Sequence, residues 1–168
     1  GRFPEPEDIV EALLRVLTPV RDLAGERVLV TAGPTREPID PVRFISNRSS
    51  GKMGYRLAAA ARRRGAEVTL VSGPTGLTPP AGTLFVPVES AEEMREAVLQ
   101  HLVTATIVIK AAAVADYRVR GQAPQKIKGK RELTLDLVPN PDILAEVAAR
   151  KTGAFIVGFA AETHDVAA

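Results

Sequence analysis

Strand-like and helix-like segments alternate along this chain of 168 residues, and no other feature restricts its fold as strongly. Apolar runs typical of buried strands occupy 26–33, 67–73, 83–89, 105–116 and 154–162, and 132–138 alternates as a half-exposed strand does. Apolar residues at helical spacing lie before and between them, at 5–17, 54–66, 90–102 and 140–151. This alternation predicts an α/β protein with a three-layer, Rossmann-like fold, in which helices cover both faces of a mainly parallel sheet.

The predicted helices carry recognisable end signals. Ser90 and Glu93 have the spacing of a capping box. We expect Asn140 to be an N-cap, with Pro141 at the first helical position, and Gly65 to end the helix at its C-cap.

Composition restricts the partners that the chain can have. The net charge of +2 and the 4% of aromatic residues argue against a nucleic-acid partner. No apolar run approaches the roughly 18 residues that span a membrane. The absence of cysteine excludes disulfides and thiolate metal sites, and it fits a protein of the reducing cytoplasm.

The site is expected at one edge of the sheet, because ligands of open α/β sheets bind beyond the carboxyl ends of the strands. Three segments fall at those ends, namely 33–54, 111–130 and 158–163.

The stretch RFISNRSSGKMG, residues 43–54, allows several interpretations. It lacks the first glycine and the final Ser/Thr of a P-loop, and only the second half of a dinucleotide-binding glycine motif is present. Gly51 and Gly54 could simply let a helix begin close to the sheet. Alternatively, the free N–H groups and serine hydroxyls of a helix N-terminus could bind a triphosphate, with Lys52 nearby.

The other two segments add polar groups. AAAVADYR, residues 111–118, places small residues and then Asp116 at a strand end, where a carboxylate could accept from ligand hydroxyls or only cap a loop. Lys126, Lys128 and Lys130 lie on a glycine-containing loop, and the last two are interpreted as solvated. His101 and His164 are isolated, so no metal site is indicated and metal ligands stay unknown.

Taken together, TAGPTREPIDPVRFISNRSSGKMG, AAAVADYR, KIK, NPDIL and GFAAET resemble phosphopantothenoylcysteine synthetase of the bacterial type, in order and from about residue 26 to the end. The opening GRFPEPEDIVEAL resembles the end of the flavin-dependent decarboxylase that is fused ahead of this synthetase in many bacteria. The resemblance implies that 1–22 is a linker helix after a missing decarboxylase domain, where FMN would bind. Residues 23–168 would then form a C-terminally incomplete synthetase domain.

The resemblance also implies an activity. The family joins 4′-phosphopantothenate to cysteine in coenzyme A biosynthesis, using CTP with Mg²⁺ through an acyl-cytidylate. A homodimer is expected, because an arginine of one subunit reaches the substrate phosphate of the other.

Residue by residue, the family pattern assigns three sets of contacts. Catalysis is assigned to Asn47, which would hold the carboxylate and acyl phosphate, and to Lys126, which would neutralise charge at the α-phosphate. The expected substrate contacts are Arg43, Ala112, Ala113 and Asp116. The expected nucleotide contacts are Gly33, Ser49, Gly51, Gly54 and Phe159, and the position of Lys52 beside the turn adds it to this set.

Two other functions stay open. One is an NAD(P)-dependent oxidoreductase on the same fold, which would need a tight glycine-rich turn and an acidic residue after the second strand. That strand instead ends in LVSGP. The other is a nucleotide-binding module without catalysis.

Overall fold

The computed structural model describes residues 9, 10, 13, 17, 20–129, 132–150 and 153–160. The four early positions are helical and belong to the helix expected at 5–17. The rest of that helix, Lys130, His164 and the end of the predicted segment 158–163 lie outside the described residues.

Five parallel strands form the central sheet: β1 (Arg27–Ala32), β4 (Glu67–Ser72), β5 (Leu84–Pro87), β6 (Ile107–Lys110) and β9 (Phe155–Gly158). Their order across the sheet is β5-β4-β1-β6-β9. The strand order runs outward from β1 in one direction and then outward from β6 in the other. The carboxyl ends of β1 and β6 therefore flank the point where the order reverses.

Helices cover both faces of this sheet, as the sequence predicts. On one face, α1 (Lys52–Arg63) packs Tyr55, Ala58 and Ala61 on one set of strand residues. On the other face, α2 (Ala91–Leu102) and α3 (Ile143–Ala149) cover the alternate set. The predicted three-layer, Rossmann-like architecture is confirmed.

Two small antiparallel ribbons accompany the sheet, and neither was expected. One pairs β2 (Arg36–Pro38) with β3 (Phe44–Ser46), and the other pairs β7 (Tyr117–Val119) with β8 (Leu137–Pro139). The strand predicted at 132–138 is wrong for most of its length. Alternating apolar and polar residues indicate that a segment is half exposed, but a strand also needs a neighbouring strand to pair with. The partner here, β7, has only three residues.

The helix-end predictions have mixed outcomes. Ser90 is the N-cap of α2, and its Oγ accepts from the Glu93 N–H at 3.1 Å. Asn140 is not an N-cap, because α3 begins two residues later and Asp142 accepts from the Ala145 N–H at 3.0 Å. The Asn140 side chain donates instead to the Ala115 carbonyl at 2.8 Å, and this contact outside the helix accounts for the shift.

None of the helices in the described part of the chain is both long and apolar enough to cross a bilayer.

Candidate functional site

The backbone continues to pair beyond the carboxyl ends of β1 and β6. The Ala113 N–H donates to the Gly33 carbonyl at 2.9 Å, and the Thr35 N–H donates to the Ala113 carbonyl at 3.3 Å. Two of the three segments expected to form the site therefore meet at the reversal point. Phe159, from the third, follows β9 at the same edge, where its N–H donates to the Lys110 carbonyl at 3.2 Å.

Side chains hold residues 112–116 in addition to the backbone bonds of Ala113. The predicted strand at 105–116 ends at Lys110. Past that point, two threonine hydroxyls and two asparagine amides bond the backbone: Thr31 with the Ala112 N–H, Thr35 with the Ala115 N–H, Asn47 with the Val114 carbonyl and Asn140 with the Ala115 carbonyl.

This arrangement leaves few backbone groups of the segment for a ligand. The N–H groups of Ala112 and Ala113, both expected to touch substrate, already have internal partners. The Val114 N–H and the Asp116 carboxylate have no hydrogen-bond partner among the described residues. Both groups are among those that the segment leaves free for a ligand.

Asn47 is exposed just after β3, and its Nδ2 donates to the Val114 carbonyl at 2.9 Å. The preceding Ser46 fixes this end of the ribbon, because its Oγ donates to the Thr35 carbonyl at 2.7 Å. The amide of Asn47 is thus held beside the 112–116 segment.

The glycines of the opening turn are packed tightly. A Cβ on Gly54 would lie 2.5 Å from the Ala32 Cβ, and one on Gly51 would lie 2.7 Å from a Thr75 methyl. Gly33 has a φ of 72°, and a Cβ on it would lie 2.9 Å from the Gly73 carbonyl oxygen. The interpretation that Gly51 and Gly54 let the helix begin close to the sheet is confirmed, and contact with a nucleotide stays a prediction.

Ser49 and Lys52 lie at the start of α1. The Ser49 Oγ accepts from the Gly51 N–H at 3.3 Å, so its hydroxyl hydrogen is still available to a ligand. Lys52 is the first residue of α1 and is exposed.

Arg43 and the loop that carries Lys126 are brought together. The Arg43 guanidinium donates to the Ile127 carbonyl at 2.8 Å and is paired with the buried carboxylate of Asp40. Lys126 is the neighbouring, exposed residue. The Arg43 hydrogen bonds hold the pKa of Asp40 well below its usual range.

Sequence reasoning missed Lys110, which is only 8% exposed at the carboxyl end of β6. Burial lowers its pKa to about 8, and the charge of Asp142 opposes that shift. Thr31, Thr35 and Asn140 were also missed as site residues. For Thr31 and Lys110, the sequence signal that could have indicated a site residue was a polar side chain at the end of a buried strand.

A cavity of about 510 Å³ opens beside β4 and β5 and is lined by Tyr55, Thr75 and Phe85, among others. None of the predicted site residues lines it. It adjoins the glycine turn, because a Cβ on Gly33 or Gly51 would lie 2.9 or 2.7 Å from the methyl of Thr75, one of its lining residues. Among the described residues, no group of three His, Asp or Glu side chains could hold a metal ion.

Fold and site define a Rossmann-like α/β domain with a polar site where the strand order reverses. The chain belongs to the family described as the DNA/pantothenate metabolism flavoprotein C-terminal domain, whose model matches residues 23–168.

Relatives and solved structures agree with this membership. The chain is 52% identical over 171 residues to the coenzyme A biosynthesis bifunctional protein CoaBC of Escherichia coli, covering 99% of this chain and 42% of that protein. It therefore spans about two fifths of the length of the curated relatives it matches.

The crystal structure of the C-terminal domain of a CoaBC protein superposes with a TM-score of 0.78 at 50% identity, covering 87% of this chain and 69% of that one. A Cab2 variant crystallised with phosphopantothenate-cysteine shares the fold, with a TM-score of 0.62 at 19% identity, covering 90% of this chain and 69% of that one.

Proposed function

We propose that this chain is the synthetase part of a cytoplasmic coenzyme A biosynthesis enzyme, which joins 4′-phosphopantothenate to cysteine at the expense of CTP. The observation that carries the proposal is the position of Asn47. It is an uncharged donor beside the 112–116 segment, at the edge where a Rossmann-like sheet binds ligands. The identity with CoaBC proteins supports the choice of reaction.

The proposed chemistry has two steps. The carboxylate of phosphopantothenate attacks the α-phosphorus of CTP, which forms an acyl-cytidylate and expels pyrophosphate. The amine of cysteine then attacks the acyl carbon and loses a proton, so that an amide forms and CMP leaves. Neither step needs a protein nucleophile. The protein contributes positioning and charge stabilisation.

Asn47 suits the first step because its neutral amide can donate to a carboxylate without trapping it in an ion pair. Lys126 would neutralise charge that builds on the α-phosphate. Asp116 has a carboxylate with no hydrogen-bond partner among the described residues, and it would accept from hydroxyl groups of a ligand. Mg²⁺ would arrive on the triphosphate, held mainly by phosphate oxygens and water.

The remaining assignments belong to the same proposal. Arg43 would bind the substrate phosphate of the partner subunit, so the active form would be a homodimer. Ala112 and Ala113 would line the substrate, and Gly33, Ser49, Gly51, Lys52, Gly54 and Phe159 would surround the nucleotide. A fused decarboxylase domain with FMN would supply the rest of the parent protein.

Pyrophosphate release from CTP and phosphopantothenate, measured without cysteine, tests this proposal. We expect Lys126→Gln to slow release about 100-fold or more, as loss of one charge-stabilising donor does. Lys128→Gln is the matched control, because Lys128 is an exposed lysine of the same loop, and it should stay near the rate of the unchanged protein. We expect Asn47→Asp to accumulate the acyl-cytidylate or fail to form it. Normal turnover in both Lys126→Gln and Asn47→Asp would refute the catalytic assignments.

A further inference from the structure

Asp40 lies in the loop between β2 and β3, where sequence reasoning gave it no role. The residue is 2% exposed and its side chain is fully buried. A buried carboxylate is costly unless hydrogen-bond donors surround it. The hydrogen-bond partners of Asp40 therefore indicate the role of its negative charge.

The two carboxylate oxygens have different partners. Oδ1 accepts from the N–H groups of Val42, at 2.8 Å, and Arg43, at 2.9 Å, which forms a local turn. Oδ2 accepts from the Arg43 guanidinium, with the Nε at 2.9 Å, and from the Ile127 N–H at 3.1 Å. Ile127 lies 87 residues further along the chain, so Oδ2 joins two separate loops.

Two more hydrogen bonds strengthen this junction. The Ala123 N–H donates to the Ile39 carbonyl at 2.9 Å, and the Arg43 guanidinium donates to the Ile127 carbonyl at 2.8 Å. Both backbone groups of Ile127 are thus bonded to the Asp40–Arg43 pair. Lys126 immediately precedes Ile127, so its backbone is fixed by the same contacts.

We propose that Asp40 is a positioning residue that fastens the Lys126 loop to the Arg43 guanidinium, so that both cations are held in place for the reaction. The junction itself is independent of the proposed function, whereas its catalytic consequence rests on it. The Arg43 hydrogen bonds keep the pKa of Asp40 below its usual range, so the carboxylate is ionised at neutral pH.

Asp40→Asn separates the two tasks of this side chain. The amide oxygen can keep the local turn with Val42 and Arg43. The amide nitrogen then faces the Arg43 guanidinium and the Ile127 N–H. All of these groups are donors, so the bonds that Oδ2 accepts from Arg43 and Ile127 are lost. Glu37→Gln is the matched control: Glu37 is also buried on this ribbon, but its carboxylate accepts from the Ala91 N–H of α2 at 2.9 Å.

Limited trypsin digestion of the folded chain measures how often the loop opens, because Lys126 and Lys128 are cleavage sites within it. We expect Asp40→Asn to raise the initial cleavage rate at these two sites about tenfold, the effect of losing a charged hydrogen bond on local opening. Glu37→Gln should leave that rate unchanged even if its melting temperature falls. Equal acceleration in both variants, or none in Asp40→Asn, would overturn the junction.

Pyrophosphate release with cysteine present, which allows repeated turnover, tests the catalytic part. We expect kcat to fall about 10- to 100-fold in Asp40→Asn, since misplacing a charge-stabilising group has effects of this size. Faster cleavage at Lys126 with unchanged kcat would overturn this part. Absence of release by the unchanged protein would count against the proposed function, and the cleavage comparison would still decide the junction.

A second variant covers the case in which Asp40→Asn does not fold. Arg43→Gln removes the guanidinium bonds to Asp40 and to the Ile127 carbonyl but leaves the backbone bonds of Asp40 in place. It should also speed cleavage at Lys126 and Lys128, and an unchanged cleavage rate would overturn the proposal.

Discussion

At the scale of single residues, Lys110 is where charge and burial conflict. Among the described residues, Glu37 and Asp40 are also buried and charged, but N–H groups donate to both. The Lys110 ammonium has no hydrogen-bond partner in the described part of the chain, and only the charge of Asp142 acts on it favourably. The native state therefore holds this proton less tightly than the unfolded chain does.

The consequence is a predicted pH dependence of stability. Burial lowers the pKa of Lys110 from 10.5 to about 8. Between these values the unfolded chain binds more protons, so the free energy of unfolding should rise as pH increases from 8 to 10.5. The full rise from this residue is roughly 3 kcal/mol.

Urea denaturation of the unchanged protein and of Lys110→Met at pH 7 and pH 10 checks this prediction. The variant should lack the Lys110 contribution to the rise and be more stable than the unchanged protein at pH 7. Lys128→Met, which removes an exposed lysine, should keep the full rise. Identical pH profiles for the unchanged protein and Lys110→Met would contradict the prediction.

At the scale of secondary-structure elements, the start of α3 depends on Asp142. Its side chain accepts from the Ala145 N–H at 3.0 Å, and it is the N-cap of a helix of seven residues. We expect Asp142→Ala to lower the free energy of unfolding by about 1 kcal/mol, the usual cost of losing such a cap. Asp142→Asn should keep most of the stability, because asparagine supplies the same oxygen.

Thermal or urea unfolding of both Asp142 variants makes the comparison. Equal losses in Asp142→Asn and Asp142→Ala would mean that the negative charge, rather than the cap oxygen, stabilises this end of the helix. Thr78→Ala, which removes an exposed hydroxyl in the loop after β4, serves as the control and should be neutral.

The five sheet strands and the three helices could be predicted from the sequence because their apolar periodicity reflects burial. The end of β6 could not, since the alanines after Lys110 look apolar, although side chains of Thr31, Thr35 and Asn47 bond much of the backbone there. The Asn140 error has a similar cause. Its side chain bonds the Ala115 carbonyl at 2.8 Å, a contact across 25 residues that no local signal reports.

The candidate site was predictable to a similar extent. The sheet edge followed from the alternation of strands and helices, and the glycine turn followed from its composition. The junction of Asp40 with Ile127 did not, because a buried carboxylate and its distant N–H donor leave no periodic pattern. The resemblance supplied residue roles, but the contacts that orient those residues came only from the structure.

At the scale of the whole molecule, the residues that follow β1 and β4 do not suit a nicotinamide dinucleotide. A dinucleotide would extend from the reversal point toward β4, where an acidic residue would have to bind its ribose. The strand β4 ends at Ser72, and Gly73 follows. The turn after β1 is closely packed as well, with Gly33 and Gly51 against Thr75 and Gly73 against Pro34.

Calorimetric titration with CTP, ATP and NADP⁺ in the presence of Mg²⁺ tests this expectation. We expect heat of binding with CTP, weaker or no binding of ATP, and none of NADP⁺. Ser49→Ala should weaken CTP binding, because it removes the hydroxyl that would donate to the nucleotide. Asp22→Ala is the control, because Asp22 pairs with Arg64 on the surface. Binding of NADP⁺ without CTP would replace the ligase proposal with an oxidoreductase. Binding of CTP that Ser49→Ala leaves unchanged would retain the ligase and move the nucleotide away from the Ser49 hydroxyl.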